Sequence, residues 1–184
     1  DITSFSIDQD GKLWISTAGN GAVCILNPDA SPNLMKYEQY LGKRLSDQVF
    51  RSYIGRDSTL YLVTDIGIKK FNRETKDFEQ FIIQKMPIYF QIITLLEDSR
   101  GKFWFGTHHD GLYKYDPVLD SMSFYNTRDG LANNIISSVF EDRNGNIWAG
   151  TWGGGISRLS GNRITTFNHT NGLPDTKIRC IRQD

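Results

Sequence analysis

Four short stretches of the chain carry side chains able to recognise a small polar molecule. They are Ala18-Gly19-Asn20, Asp65-Ile66, His108-His109-Asp110 and Trp152-Gly153-Gly154. The indole of Trp152 offers a flat apolar face of the kind that stacks on a sugar ring, while His108, His109 and Asp110 supply hydrogen-bonding groups for hydroxyls. Longer connecting segments add Tyr89, Arg128, Asn133, Asn134 and Asp175 as further contacts. The four stretches differ from one another while their surroundings repeat, the pattern of variable binding loops on a rigid scaffold. An indole covering a packing junction is the competing reading of Trp152.

Stricter chemistries fit these residues poorly. His108-His109 brings zinc to mind, but the chain has three histidines in all, and neighbouring strand residues point to opposite faces, so no metal site is expected. Asp142-Arg143-Asn144-Gly145 resembles the opening of a calcium loop, yet Gly153 stands where such a loop needs its distal Glu. Gly153-Gly154-Gly155 lacks the Lys-Ser/Thr and the helix that a phosphate loop requires. A His with a carboxylate could serve as general acid and base, for which His108 or His109 with Asp110 or Glu97 is the available set. No catalytic residue and no cofactor is assigned.

What must hold these loops is a repeat. EDRNGNIWAGT at 141–151 returns as DQDGKLWIST at 8–17, as EDSRGKFWFGT at 97–107 and, decayed, as GRDSTLYLVT at 55–64. Thr17, Thr64, Thr107 and Thr151 occupy one place in four copies, at intervals of 47, 43 and 44 residues. Each unit reads as four strands. A first strand such as 136–141, read as buried on both faces, runs into a tight Asp-x-x-Gly turn where Gly takes positive φ. A second strand follows, whose aromatic residue (Trp14, Tyr61, Trp104 or Trp148) is expected in the core. A Gly-containing turn, a third strand, a polar turn and a fourth strand complete one antiparallel sheet. In the second unit the turn 55–58 reads as one residue shorter than the others. If the first strand lines a central channel, the loops named above emerge on one face with the connections between units, and the Asp-Gly turns on the other.

The expected architecture is all-β, a β-propeller segment of about four four-stranded antiparallel blades within a larger ring of about seven. The units fall at about 1–45, 46–88, 89–132 and 133–177, and 178–184 repeats the first strand of a further blade. An insertion at 27–33 accounts for the longest interval, and Pro87 makes 85–89 a connection. Lys plus Arg and Asp plus Glu each number 21, so zero net charge excludes general attraction to nucleic acid or anionic membrane. Cys24 and Cys180 lie far apart in the scheme and are expected as lone thiols packed in strands. No signal-peptide pattern or long apolar run is present.

Read from Gly130 to Ile156, the phrase Gly-Leu-x4-Ile-x-x-Val-x-Glu-Asp-x-x-Gly-x-Ile-Trp-x-Gly-Thr-x-x-Gly-Gly-Ile resembles the two-component-regulator propeller repeat. The resemblance is strong in units three and four, good in unit one and weak in unit two. It implies the periplasmic sensor region of a hybrid two-component system of Bacteroidetes type, anchored in the inner membrane through parts outside this segment. It further implies an oligosaccharide or other small-molecule ligand, a homodimer in the full-length receptor, and a histidine kinase on the far side of the membrane. A stand-alone propeller serving as a protein-interaction platform is the alternative, and a streptogramin-lyase-like enzyme a further one. The Asp-turn-Trp element also resembles the sialidase Asp-box, but Gly101 and Gly145 come three residues after Asp instead of two.

Overall fold

The computed structural model describes residues 1–18, 22–25, 34–37, 39–40, 43–44, 49–64, 67–82 and 92–183. The chain divides into two compact units, Asp1–Phe90 and Gln91–Asp184. In the first, β1 (Ile2–Ile7), β2 (Leu13–Thr17), β3 (Ala22–Ile25) and β4 (Leu34–Tyr37) form one antiparallel sheet in chain order. A two-stranded ladder of β5 (Gln39–Tyr40) and β6 (Lys43–Arg44) follows, which the repeat did not foretell. The second sheet of this unit runs β7 (Val49–Ile54), β8 (Leu60–Thr64), β9 (Gly67–Asn72) and β10 (Asp77–Ile82).

The second unit repeats the plan twice. One sheet contains β11 (Ile92–Glu97), β12 (Phe103–Thr107), β13 (Leu112–Asp116) and β14 (Ser121–Tyr125). The other contains β15 (Ile136–Glu141), β16 (Ile147–Thr151), β17 (Ile156–Ser160) and β18 (Arg163–Phe167). Register follows the repeat: Ile2, Val49, Ile92 and Ile136 each pair with the Thr that closes the second strand. These are the four blades of a β-propeller segment.

An Asp organises each full copy of the turn between first and second strands. Asp98 accepts the amides of Arg100 (2.9 Å) and Lys102 (2.8 Å) on Oδ1, and the indole N–H of Trp104 (2.8 Å) on Oδ2. Asp142 treats Asn144, Asn146 and Trp148 in the same way, and Asp8 treats Asp10, Lys12 and Trp14 likewise. One carboxylate therefore satisfies two turn amides and the one polar atom of the aromatic that packs the sheet. The second blade lacks both partners, with Gly55 in place of Asp and Tyr61 in place of Trp. Its turn is nevertheless of full length: Gly55 N–H donates to Thr59 O as Asp98 N–H does to Lys102 O, and Ser58 holds the positive φ (62°) that Gly101 holds elsewhere (72°).

Each unit has a core shared by its two four-stranded sheets. In the first, Trp14, Val49, Leu60, Leu62 and Phe78 share a core; in the second, Trp104, Leu131, Ile136, Ile147 and Leu159 do. Ile136 reaches this core because Gly106, opposite it on β12, leaves no room for any side chain of its own: a Cβ there would lie 2.7 Å from Ile136 Cγ2. Ile178 lies against Gly150 in the same way. Residues 178–183 form no regular strand, although Lys177 makes an isolated bridge with Trp152 and Ile178 N–H donates to Thr151 O at 2.9 Å.

Three further expectations need correction. First strands are not buried on both faces, since in β15 Ile136 alone is fully buried. Trp148 is half-buried, stacked on Phe167 with the Arg158 guanidinium over its ring, whereas Trp14, Tyr61 and Trp104 are core. Cys180 is a free thiol but exposed, not packed in a strand; the side chain of Cys24 lies outside the described residues.

Candidate functional site

The loops after the second strands and the connections into the next blade do emerge together in the second unit. Gly111 N–H donates to Asn134 O and Gly155 N–H to Thr176 O, at 2.9 and 3.0 Å, tying each loop to the following connection. Loop shape is set by the buried Thr. Thr107 Oγ1 donates to Gly111 O and accepts from Asp110 N–H, and Thr151 Oγ1 does the same with Gly155 O and Gly154 N–H. The loop backbone is thus fixed by main-chain and Thr contacts, which leaves the residue after Thr uncommitted. That residue is His108 in one blade and Trp152 in the next.

Those two side chains meet at a cleft of about 440 Å³ lined by Ile93, His108, Ile135, Ser137 and Trp152. Ile93 and Ser137 hold the same place in β11 and β15, so the cleft is built from repeated positions of two successive blades. Its floor is mainly apolar through Ile93 and Ile135, and the Ser137 hydroxyl donates to Gly150 O and Ile178 O. Trp152 is 44% exposed, and the Lys177 ammonium stands 5.7 Å from its ring centroid. The other three indoles donate to carboxylates; among the described residues that of Trp152 has no such acceptor.

His108 and His109 face each other rather than opposite sides, with Nδ1 of one 2.9 Å from Nε2 of the other and the rings crossed at 80°. They lie in a bend past the end of β12, where strand alternation no longer holds, so that ground for dismissing a metal fails. Among the described residues, no three His, Cys, Asp or Glu come together as a metal site would need. Asp110 lies beyond the cleft lining; burial and the nearby Asp110 charge push the Tyr113 phenol up.

The connection residues serve the backbone. Asn133 Oδ1 accepts from Ile135 N–H and Asn134 Oδ1 from Thr127 N–H, both at 2.9 Å. Asp175 Oδ1 accepts from Lys177 N–H at 2.9 Å, which with the Lys177 and His169 charges holds its carboxyl below the usual range. Arg128 is exposed in the 3-10 turn Thr127–Asp129, which Asn126 and Asp129 cap reciprocally, and it does not line the cleft. His169–Asn171 repeats that capped turn. Tyr89, Gly19-Asn20 and Asp65-Ile66 lie outside the described residues. Sequence reasoning missed Ile93, Ile135, Ser137, which it placed within a first strand, and Lys177; the Lys177–Trp152 pairing had no signal in the spacing.

Sheets of this form, with a cleft at the loop end of two blades, define the chain as part of a β-propeller. The two-component regulator propeller family model matches residues 89–109 and 122–153, a region that includes His108 and Trp152; the chain carries this repeat. Among solved structures, it is similar to the extracellular domain of a hybrid two-component system from B. thetaiotaomicron, with a TM-score of 0.70 and 21% identity over 90% of this chain. A second such domain from B. thetaiotaomicron gives a TM-score of 0.68 and 27% identity over 96% of this chain. The chain spans 24% and 23% of those two structures. A catalytically inactive virginiamycin B lyase from Staphylococcus aureus shares the fold alone, with a TM-score of 0.63 and 14% identity over 94% of this chain and 56% of the lyase. No curated protein sequence matches the chain at a significant level.

Proposed function

We propose that this segment is the ligand-sensing part of a hybrid two-component receptor, placed in the periplasm and signalling to a histidine kinase outside the segment. The receptor works as a homodimer, and the ligand is a small glycan received at the cleft between His108 and Trp152. The observation that carries this reading is the exposed Trp152, its indole N–H unpaired among the described residues, at the mouth of an apolar cleft inside the matched repeat. An apolar floor with hydrogen-bonding groups at the mouth suits a sugar ring, which has apolar C–H faces and a polar edge. Similarity to extracellular domains of hybrid two-component systems supports the sensor role. Ligand drives signalling only if it binds the active arrangement of the receptor better than the resting one.

Titration of the chain with an oligosaccharide panel, followed by calorimetry, tests the reading. Trp152→Ala is expected to weaken binding by about 1–3 kcal/mol without altering the fold. Unchanged affinity in the folded variant removes Trp152 from the site.

A further inference from the structure

We infer that the ring received on Trp152 carries an anionic group, a carboxylate or a sulfate, which Lys177 binds. This rests on the cleft being the ligand site. The inference follows from an excess of donors at the mouth. Lys177 is exposed, stands over the Trp152 ring, and among the described residues has no carboxylate within ion-pair distance. The indole N–H of Trp152 adds a second donor.

No carboxylate lines the cleft. Asp175 has one oxygen on the Lys177 amide and is exposed in the turn before it, and Asp110 is not part of the lining. Ser137 spends its hydroxyl proton on backbone carbonyls and keeps only an uncharged oxygen, and Ile93 and Ile135 offer only apolar surface. The imidazoles of His108 and His109 are spent in part on each other. A neutral ring would leave the ammonium without an ion-pair partner, while an anionic one completes the set: ring on indole, charge on Lys177. Lys177 and Trp152 are also joined by a backbone bridge, so one ligand touching both grips the loop of one blade and the connection that follows it.

Matched pairs of probes isolate the charge. Methyl β-glucoside and methyl β-glucuronide, and the corresponding galactoside and galacturonide, differ only at the exocyclic C6, a hydroxymethyl in one and a carboxylate in the other. Binding is followed through the Trp152 indole N–H resonance, assigned by its loss in Trp152→Phe. The uronides are expected to bind about tenfold more tightly than the neutral glycosides, the scale of one charge-assisted hydrogen bond, with the advantage shrinking as salt rises. Lys177→Gln, whose near-ultraviolet circular dichroism should match that of the parent chain, is expected to abolish the preference. Equal binding of both members of each pair, with Trp152 shifted, overturns the anionic assignment and leaves the cleft as a ring site. No shift of Trp152 by any of the four probes overturns both. A uronide preference that survives in Lys177→Gln overturns the role given to Lys177.

Discussion

Removing Asp98 tests whether one carboxylate holds both turn and core of a blade. Asp98 is 5% exposed, and its loss in Asp98→Ala strands three donors: the amides of Arg100 and Lys102 and the buried indole N–H of Trp104. Each turn amide can recover water at a cost of about 1 kcal/mol, whereas an unsatisfied buried indole costs about 1–3 kcal/mol, so a loss of about 3–5 kcal/mol is expected. That is a large part of the 5–15 kcal/mol typical of a domain. Urea denaturation read by Trp fluorescence and by far-ultraviolet circular dichroism measures it. A double-mutant cycle isolates the shared bond. With Trp104→Phe already in place there is no indole to strand, so Asp98→Ala should cost about 1–3 kcal/mol less than in the parent chain. The second blade is the natural double variant, Gly55 with Tyr61, and Tyr61 is buried there against Phe81 at 5.0 Å. Additive single losses would refute the shared role of Asp98.

The other turns give smaller and opposite effects. Ser58→Gly should stabilise the first unit by about 0.5–1 kcal/mol in thermal unfolding, because Ser58 sits at φ 62° where Gly pays no steric cost. Gly111→Ala should destabilise the second unit by more than about 2 kcal/mol, since its Cβ would lie 2.2 Å from Tyr125 O at φ 90°. Acid should loosen the last blade. Burial raises the Asp142 pKa, but bonds from Trp148, Asn146 and Asn144 outweigh it and bring it to about 2. A folded-state pKa below the unfolded one stabilises above about pH 4 and is lost as pH falls towards 2; the shift corresponds to about 2 kcal/mol, reduced to about 1 by solvent screening. Asp142→Asn should flatten that part of the pH–stability profile.

Architecture was legible because the framework repeats: the Asp turn, the aromatic and the closing Thr recur at fixed spacing. Even the decayed second copy kept its length, and reading GRDSTLYLVT as a shorter turn erred by letting the missing Asp and Gly obscure the register. The Asp–Trp bond was recoverable too, since the two stand six residues apart in three copies. The β5–β6 ladder was not, because it occurs once among the described residues. Burial was misjudged wherever a side chain depends on a neighbouring sheet: Trp148, identical in sequence role to Trp104, is half-buried.

The site was half legible for a physical reason that also separates its members. A residue that recurs in role at equivalent positions is holding backbone. Asn133 and Asp175 stand two residues before Ile135 and Lys177 in successive connections, and each accepts the amide of that residue. Asn134 likewise holds Thr127. Replacing them is expected to reshape a loop, so lost binding in those variants would say nothing of direct contact. His108 and Trp152 also stand at equivalent positions, but their chemistry differs and no backbone group depends on either side chain among the described residues. The same holds one step further on, where Ile135 in one connection corresponds to Lys177 in the next. Within this unit, the repeat fixes where a side chain is delivered and leaves free which one it is. Under the proposed function, specificity therefore resides in the contrast between successive copies, an imidazole against an indole and an isoleucine against a lysine.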